Sequence, residues 1–160
     1  PGHGDVGFRV TSSGNYKVPV YSLQQIIKIG AENNAFPFIC KIDIEGGEYQ
    51  FVEDLLEHLK GNHTLINCVI MELHDTQKMR AEFEKLVKGI SEFLPIVHIH
   101  GNNCVGISED GLPEVLEITF ASASLERGSS EFPLLVLDFP NDSEAPDHQF
   151  SFAESSGFGS

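Results

Sequence analysis

The sequence predicts an α/β fold with an open, mostly parallel β-sheet. Short apolar runs rich in β-branched residues alternate along the chain with stretches of helical period. Helices between strands imply parallel crossover connections. One apolar run, residues 38–44, leads into carboxylates, the Gly46-Gly47 turn and a further helical stretch. In open α/β sheets such strand ends form the crevice where ligands bind.

The first predicted elements are a strand near residues 6–10 and a helix that begins after Ser22, a favourable N-cap. The helix ends near the stop signal Asn33-Asn34. Its apolar positions are Leu23, Ile26, Ile27 and Ile29. The strand at 38–44 is apolar apart from Lys41 and Asp43, which is typical of a strand buried on both faces.

The remaining elements alternate until the last pair of strands. They are a helix at 48–59, a strand at 65–73, a helix at 76–90, and strands at 96–100 and 115–120. We expect the strands at 38–44, 65–73 and 96–100 to be parallel neighbours, with the two helices as crossovers. A Gly/Pro loop precedes the last strand, which we therefore expect to be antiparallel.

A change of composition divides the chain at residue 122. Residues 1–122 are predicted to form the α/β domain, and residues 123–160 an irregular acidic tail rich in Ser and Pro. The tail holds one apolar patch, 132–139, which we expect to pack on the domain because exposing it would be costly. We expect the stretches 123–131 and 153–160 to be mobile.

Charge and composition limit the partners. The net charge of −14, from 24 acidic and 10 basic side chains, repels phosphate backbones and so disfavours nucleic acid. No apolar run approaches the length of a membrane span. Three cysteines without a Cys-x-x-Cys spacing favour a reducing, cytoplasmic compartment. The literal G-x-G-x-x-G at Gly2 to Gly7 follows no strand and is interpreted as a coincidence.

Carboxylates and a histidine follow two of the predicted strands. Asp43 lies inside an apolar run, where a carboxylate is costly unless it meets a cation, a metal or a hydrogen-bonding ligand. Adjacent strands would bring Asp43 together with Glu72 and His74, a ligand set that suits Mg²⁺, Mn²⁺ or Zn²⁺. Such a metal would acidify a substrate hydroxyl; alternatively, Asp43 or His74 acts directly as a general base. The plainer alternative is an edge carboxylate and a surface histidine without function.

Two further features flank this predicted edge. Glu48 is interpreted as an exposed carboxylate at the positive end of the following helix. The segment His98-Ile-His100-Gly-Asn102-Asn103 places two histidines on one side of a strand, followed by amides that a sharp turn at Gly101 presents to a ligand. His-x-His is a metal-ligand spacing, but the same histidines can simply be satisfied within a covered sheet. We expect Asp43, His74 and His100 to converge.

Four segments occur in a family-like order: Lys41-Ile-Asp-Ile-Glu-Gly-Gly-Glu48, Met71-Glu-Leu-His74, His98-Ile-His-Gly-Asn-Asn103 and Glu114-Val-Leu-Glu-Ile-Thr-Phe120. Together they resemble the FkbM-type S-adenosylmethionine-dependent methyltransferases over residues 17–150. The resemblance implies a Rossmann-like class I methyltransferase sheet, an S-adenosylmethionine cofactor and a hydroxyl substrate on a small molecule, a sugar or a lipid-linked group. It also implies a glycine-rich strand-turn-helix upstream, and none precedes Val18.

The predicted sheet is therefore incomplete on its N-terminal side, and the chain, which starts at Pro1, is interpreted as the C-terminal part of such an enzyme. We expect the isolated chain to bind S-adenosylmethionine weakly or not at all. The predicted roles are as follows: catalysis by Asp43, His74 and His100; cofactor contact by Asp43 and Glu45; substrate contact by Asn102 and Asn103; and metal binding by Asp43, Glu72 and His74.

Two other functions remain open. The chain can be a non-catalytic interaction module, or a remnant that lacks the cofactor-binding half. A metal-dependent hydrolase using His98 and His100 is the third hypothesis, although the sequence lacks the further histidine and aspartate at later strand ends that such a site requires. The oligomeric state and the identity of the methyl acceptor are not indicated by the sequence.

Overall fold

The computed structural model describes residues 8–11, 14–17, 21–62, 65–122 and 138–150. The strands are β1 (Phe8–Thr11), β2 (Gly14–Lys17), β3 (Phe38–Ile42), β4 (Ile66–Leu73), β5 (Ile96–Gly101) and β6 (Leu116–Ala121), and the helices are α1 (Leu23–Glu32), α2 (Glu48–Asn62) and α3 (Arg80–Ser91). The mixed α/β class is confirmed. The Gly2 to Gly7 motif, residues 123–137 and residues 153–160 lie outside the described residues.

The main sheet has four strands in the order β3-β4-β6-β5 within the described chain, while β1 and β2 pair as a separate antiparallel hairpin. Strands β3 and β4 are parallel, and β6 runs antiparallel to both β4 and β5. The predicted antiparallel strand near the C-terminus is thus confirmed. The prediction that the strand at 96–100 lies beside the strand at 65–73 is wrong, because β6 lies between them.

Burial explains why β6 takes the interior position. Leu116, Ile118 and Phe120 are at most 2% exposed, so β6 needs a covered place within the sheet. Ile96 and Val97 of β5 are exposed, and β5 accordingly lies at the edge. The crossover through α3 therefore skips one strand position, which the returning β6 fills.

Helices α2 and α3 pack against each other, and α2 also contacts β4. Leu55 and Leu59 of α2, Leu86 and Ile90 of α3, and Val69, Met71 and Leu73 of β4 are fully buried in one apolar cluster. Gly89 permits the close approach of the helices, since a Cβ there would lie 2.8 Å from the Leu56 side chain. The buried side chains of α2 and α3 therefore face each other and the sheet.

The opposite face of the sheet is polar. Glu72 of β4 pairs directly with Glu117 of β6, and Glu117 pairs with His100 of β5. Direct cross-strand partners point to the same face, and alternation places this row opposite the buried Met71 and Leu73. We call Glu72, Glu117, His98 and His100 the polar face. Of the predicted site residues, Glu72 and His100 thus lie on the side of the sheet away from the α2–α3 core.

The β3 edge differs from the prediction. Ile39 is 66% exposed and Lys41 is exposed, so 38–44 is not a strand buried on both faces. The strand also ends at Ile42, which leaves Asp43 in the turn that follows. Strand β3 pairs only with β4 among the described residues.

Helix α1 begins and ends as predicted. Ser22 forms a capping box with Gln25, and Asn33 is the C-cap. Of the residues in α1, only Leu23 is buried, whereas Ile26 and Ile29 are exposed. No helix in the described ranges is both long and apolar enough to cross a membrane.

The described segment 138–150 contains no helix or strand and is fastened to the sheet. Phe150 packs against the core, and His98 and His100 contact Asp138 and Asp147. Phe139, which belongs to the predicted apolar patch, is exposed. Residues 132–137 of that patch are not among the described residues.

Candidate functional site

The turn between β3 and α2 forms one wall of the candidate site. Asp43 and Ile44 leave the strand, Glu45 has a φ of 55° and Gly46 a φ of 95°. Glycine adopts this left-handed region freely, whereas glutamate does so at a cost. The turn places Glu48 at the first position of α2, with its side chain directed back toward the turn.

Glu48 is fully buried. Its Oε1 accepts hydrogen bonds from the backbone N–H of Ile44 at 3.2 Å and of Gly46 at 3.1 Å, and it lies 3.0 Å from His74 Nδ1. Its Oε2 is also buried, and has no hydrogen-bond partner among the described residues. The interpretation of Glu48 as an exposed carboxylate at a helix end is therefore wrong.

His74 is held at two points by the first turn of α2. Its ring contacts Glu48, and its backbone carbonyl accepts a hydrogen bond from the Tyr49 hydroxyl at 2.8 Å. Burial is the largest cause of the raised pKa of Tyr49, and the nearby carboxylates of Glu48, Asp75 and Glu82 raise it further. The phenol therefore stays a proton donor. The other ring nitrogen, Nε2, lies 3.5 Å from the exposed Glu45 carboxylate.

Asp43, Glu72 and His74 come together as their positions at the strand ends predict. Each can offer one ligand atom, and these atoms all lie within 4.8 Å of one another. Asp43 also pairs with Lys41 at 3.4 Å. Asn102 donates from Nδ2 to Glu72 Oε1 at 3.1 Å, so one of the two predicted substrate-binding amides reaches this cluster.

His100 is not brought to this cluster. It lies on β5 beyond β6, is largely buried, and contacts Asp147 through Nε2 at 3.3 Å and Glu117 through Nδ1 at 3.6 Å. His98 contacts Asp138 in the same way. Both histidines of the His-x-His spacing are thus engaged by carboxylates, and in the described structure they serve to hold the segment 138–150.

Asn103 is also directed away from the cluster. Its Nδ2 donates to the carbonyls of Asp142 at 2.9 Å and of Ala145 at 3.1 Å, and its Oδ1 accepts from the backbone N–H of Asp142 at 2.7 Å. These bonds occupy both ends of the amide. Asn103 therefore acts as a clamp on the segment 138–150.

Sequence reasoning missed two members of this region, Glu48 and Glu117. For Glu117 a signal exists: alternation in Leu116-Glu-Ile-Thr-Phe120 separates Glu117 from the apolar side chains and places it on the polar face. For Glu48 there is no such signal, since a glutamate in the first turn of a helix is ordinarily exposed.

Comparisons of this chain with protein-family models, with curated proteins and with solved structures give no match. The chemistry must therefore be argued from the site itself. Four carboxylates, Asp43, Glu45, Glu48 and Glu72, surround one imidazole, with Lys41 as the nearby cation. Such a site can bind a cation, accept a proton from a substrate, or do both.

Proposed function

We propose that the protein is an S-adenosylmethionine-dependent O-methyltransferase that acts on a hydroxyl of a small molecule, a sugar or a lipid-linked group. The observation that carries the proposal is the meeting of Asp43 and His74 at the adjoining carboxyl ends of β3 and β4. These residues belong to the segments that resemble the FkbM-type enzymes. Parallel strands β3 and β4, followed by an antiparallel β6, are consistent with the sheet that the resemblance implies.

The described residues offer a partial fit to the cofactor. Asp43 and Glu45 are exposed carboxylates at the end of β3, and carboxylates suit the hydroxyl and ammonium groups that S-adenosylmethionine carries. Asp43 and Glu45 would therefore contact the cofactor at this edge. When bound, S-adenosylmethionine supplies an electrophilic methyl group.

The chain's own part in the reaction is to remove a proton and to position the hydroxyl. Nδ1 of His74 faces the Glu48 carboxylate, which can only accept a hydrogen bond when ionised. In the neutral ring this contact favours the lone pair on Nε2, which lies 3.5 Å from the exposed Glu45 carboxylate. Nε2, or the carboxylate of Asp43, would take the hydroxyl proton. Asn102 is fixed between Glu72 and the backbone N–H of Cys104 and would orient the substrate beside them.

Transfer of a labelled methyl group from S-adenosylmethionine to hydroxyl-bearing acceptors tests the proposal. The protein should be the intact gene product that contains this chain, and calorimetry with S-adenosylmethionine should accompany the assay. We expect binding and transfer, and a loss of transfer in His74→Gln but not in His58→Gln. An intact protein that neither binds S-adenosylmethionine nor transfers its methyl group would overturn the proposal.

One observation favours the second candidate, an interaction module. Ile39 is 66% exposed on β3, which is an edge strand within the described residues, and Ile44 in the turn after β3 is 52% exposed. An exposed apolar edge strand is suited to pairing with another strand. The calorimetric titration separates the two candidates, because an interaction module would not bind the methyl donor.

A further inference from the structure

We propose that Asp43, Glu72 and Nε2 of His74 form a site for a divalent first-row metal ion, with Glu48 as the buried positioning residue that fixes the His74 ring. The site deepens the proposed function and rests on it only for the purpose of the ion. A bound ion would bind the substrate hydroxyl and lower its pKa, in place of direct proton removal by His74 or Asp43. Whether the ion binds is a question that does not require methyl transfer.

The candidate ligand atoms lie close enough together to share one ion. One oxygen of Asp43, one oxygen of Glu72 and one ring nitrogen of His74 lie within 4.8 Å of one another. Ligands at about 2.0–2.2 Å from a common ion are separated by up to about 4.4 Å. The difference is small, and rotation of the Asp43 and Glu72 side chains, neither of which is buried, can close it. One imidazole and two carboxylates form a donor set that suits Mn²⁺ or Zn²⁺.

The ring of His74 is oriented by its contact with Glu48. Its Nδ1 lies 3.0 Å from the buried Glu48 Oε1, which also accepts two backbone N–H groups and therefore acts as an acceptor. In the neutral ring this contact favours the proton on Nδ1 and leaves the lone pair on Nε2, which lies 3.5 Å from the exposed Glu45 carboxylate. Histidines that bind metal ions commonly donate their other N–H to a carboxylate in this way, which fixes both tautomer and orientation.

Among the described residues, the buried carboxylate of Glu48 lacks a partner for one of its two oxygens. Glu48 is fully buried, and its Oε2 has no hydrogen-bond partner in the described part of the chain. A buried carboxylate with an unpartnered oxygen is costly without further compensation. Because the other oxygen contacts His74, an ion bound to the far side of that ring would supply the missing positive charge.

The surroundings of His74 are rich in negative charge. Asp43, Glu45, Glu48 and Glu72 cluster around His74, and Lys41 pairs with Asp43 at 3.4 Å. Glu72 also lies directly across from Glu117, and like charges at such positions destabilise a sheet. A divalent ion between Asp43 and Glu72 would relieve this repulsion.

The test is a titration of the untagged chain with Mn²⁺. Binding is monitored by calorimetry and by the electron paramagnetic resonance signal of free Mn²⁺, and Zn²⁺ is added as a competitor. We expect one ion per chain. His74→Gln and Asp43→Asn should each weaken binding by about 100-fold, and Glu48→Gln by about tenfold with the stoichiometry unchanged. The controls Glu57→Gln and His58→Gln, on the same helix as Glu48, should stay within about twofold.

Absence of stoichiometric binding of Mn²⁺ and Zn²⁺ would overturn the proposal, as would equal losses in the site and control variants. If Glu48→Gln fails to fold, ¹⁵N NMR of the unaltered chain provides the same test. The His74 ring should be protonated on Nδ1, and Zn²⁺ should shift the Nε2 resonance; a ring protonated on Nε2 contradicts the role of Glu48. Metal binding by this chain, together with an intact gene product that neither binds S-adenosylmethionine nor transfers its methyl group, would refute the methyltransferase and leave this site standing.

Discussion

Two histidines near α2 differ in how their ring nitrogens are satisfied. His74 has a carboxylate at each nitrogen, Glu48 at Nδ1 and Glu45 at Nε2. His58 has its Nε2 buried without a hydrogen-bond partner among the described residues, and burial lowers its pKa. His58 is therefore not a fully solvent-exposed group, although it lies in the second half of α2. It lines a cavity between α1 and α2, remote from the candidate site.

The lowered pKa of His58 predicts that the free energy of unfolding depends on pH. In the unfolded chain His58 takes up a proton near pH 6.5, whereas the folded chain resists protonation until a lower pH. Above about pH 6.5 the ring is neutral in both states and has no effect on the pH dependence of stability. As the pH drops below this value, the free energy of unfolding falls, because protonation of His58 favours the unfolded chain. His58→Leu should raise the free energy of unfolding, and by more at pH 5.5 than at pH 7.5, as measured by urea denaturation.

Gln24→Leu is the matched control, since Gln24 lines the same cavity and does not titrate. Its effect on the free energy of unfolding should be the same at both pH values. An equal effect of His58→Leu at pH 5.5 and pH 7.5 would show that burial does not perturb the ring.

At the level of single residues, the sequence predicted the metal-ligand candidates but not their support. Asp43, Glu72 and His74 follow apolar strands, and strand ends on one edge meet whatever the details of the turns. Glu48 could not be predicted, because its burial depends on the turn at Glu45 and Gly46 folding its side chain beneath His74. Asn103 was assigned to substrate because the fold of 138–150 around it is invisible in the sequence.

Among the elements, α1 depends on its cap, since only Leu23 of this helix is buried. The Ser22 hydroxyl accepts from the backbone N–H of Gln25 at 3.3 Å, and Gln25 Oε1 accepts from that of Ser22 at 2.8 Å. Ser22→Ala should lower the free energy of unfolding by about 1 kcal/mol and speed amide exchange in the first turn of α1. Ser91→Ala, at an exposed position on α3, should change stability by less than about 0.5 kcal/mol.

The segment 138–150 depends on Asn103 in a comparable way. Asn103→Ala removes the bonds to Asp142 and Ala145 and leaves partly buried backbone groups without these partners. It should cost about 1–3 kcal/mol in unfolding free energy and raise hydrogen exchange throughout the segment. The exposed Gln149→Ala is the control. Unchanged exchange in 138–150 after Asn103→Ala would show that other contacts hold the segment.

Element boundaries followed the sequence where local signals set them. Ser22 and Asn33 bound α1 as predicted, whereas α3 begins at Arg80 instead of residue 76. The difference has a tertiary cause, because Thr76 is buried and bonds to the loop before β6: its hydroxyl donates to the Pro113 carbonyl at 2.6 Å and its N–H to that of Glu114. Such a long-range contact leaves no periodic signal.

Across the whole molecule, the α/β class and the antiparallel last strand were predictable, but the strand order was not. Alternation of strands and helices predicts parallel crossovers, yet it does not say whether a crossover skips a position. The insertion of β6 moves His100 away from Asp43 and His74, and it creates the row Glu72, Glu117 and His100. The convergence expected for three residues therefore holds for Asp43 and His74, together with Glu72.

The most direct test of the account is the turnover of Asp43→Asn in the intact protein, measured as methyl transfer to a hydroxyl acceptor. The variant keeps the shape of the side chain, removes its charge and breaks only an exposed pair with Lys41, which contributes little to stability. The account predicts a fall in turnover by a factor of about 100 or more, with Asp54→Asn on the exposed side of α2 as the unaffected control. Turnover of Asp43→Asn within about twofold of the parent, equivalent to roughly 0.4 kcal/mol, would contradict it.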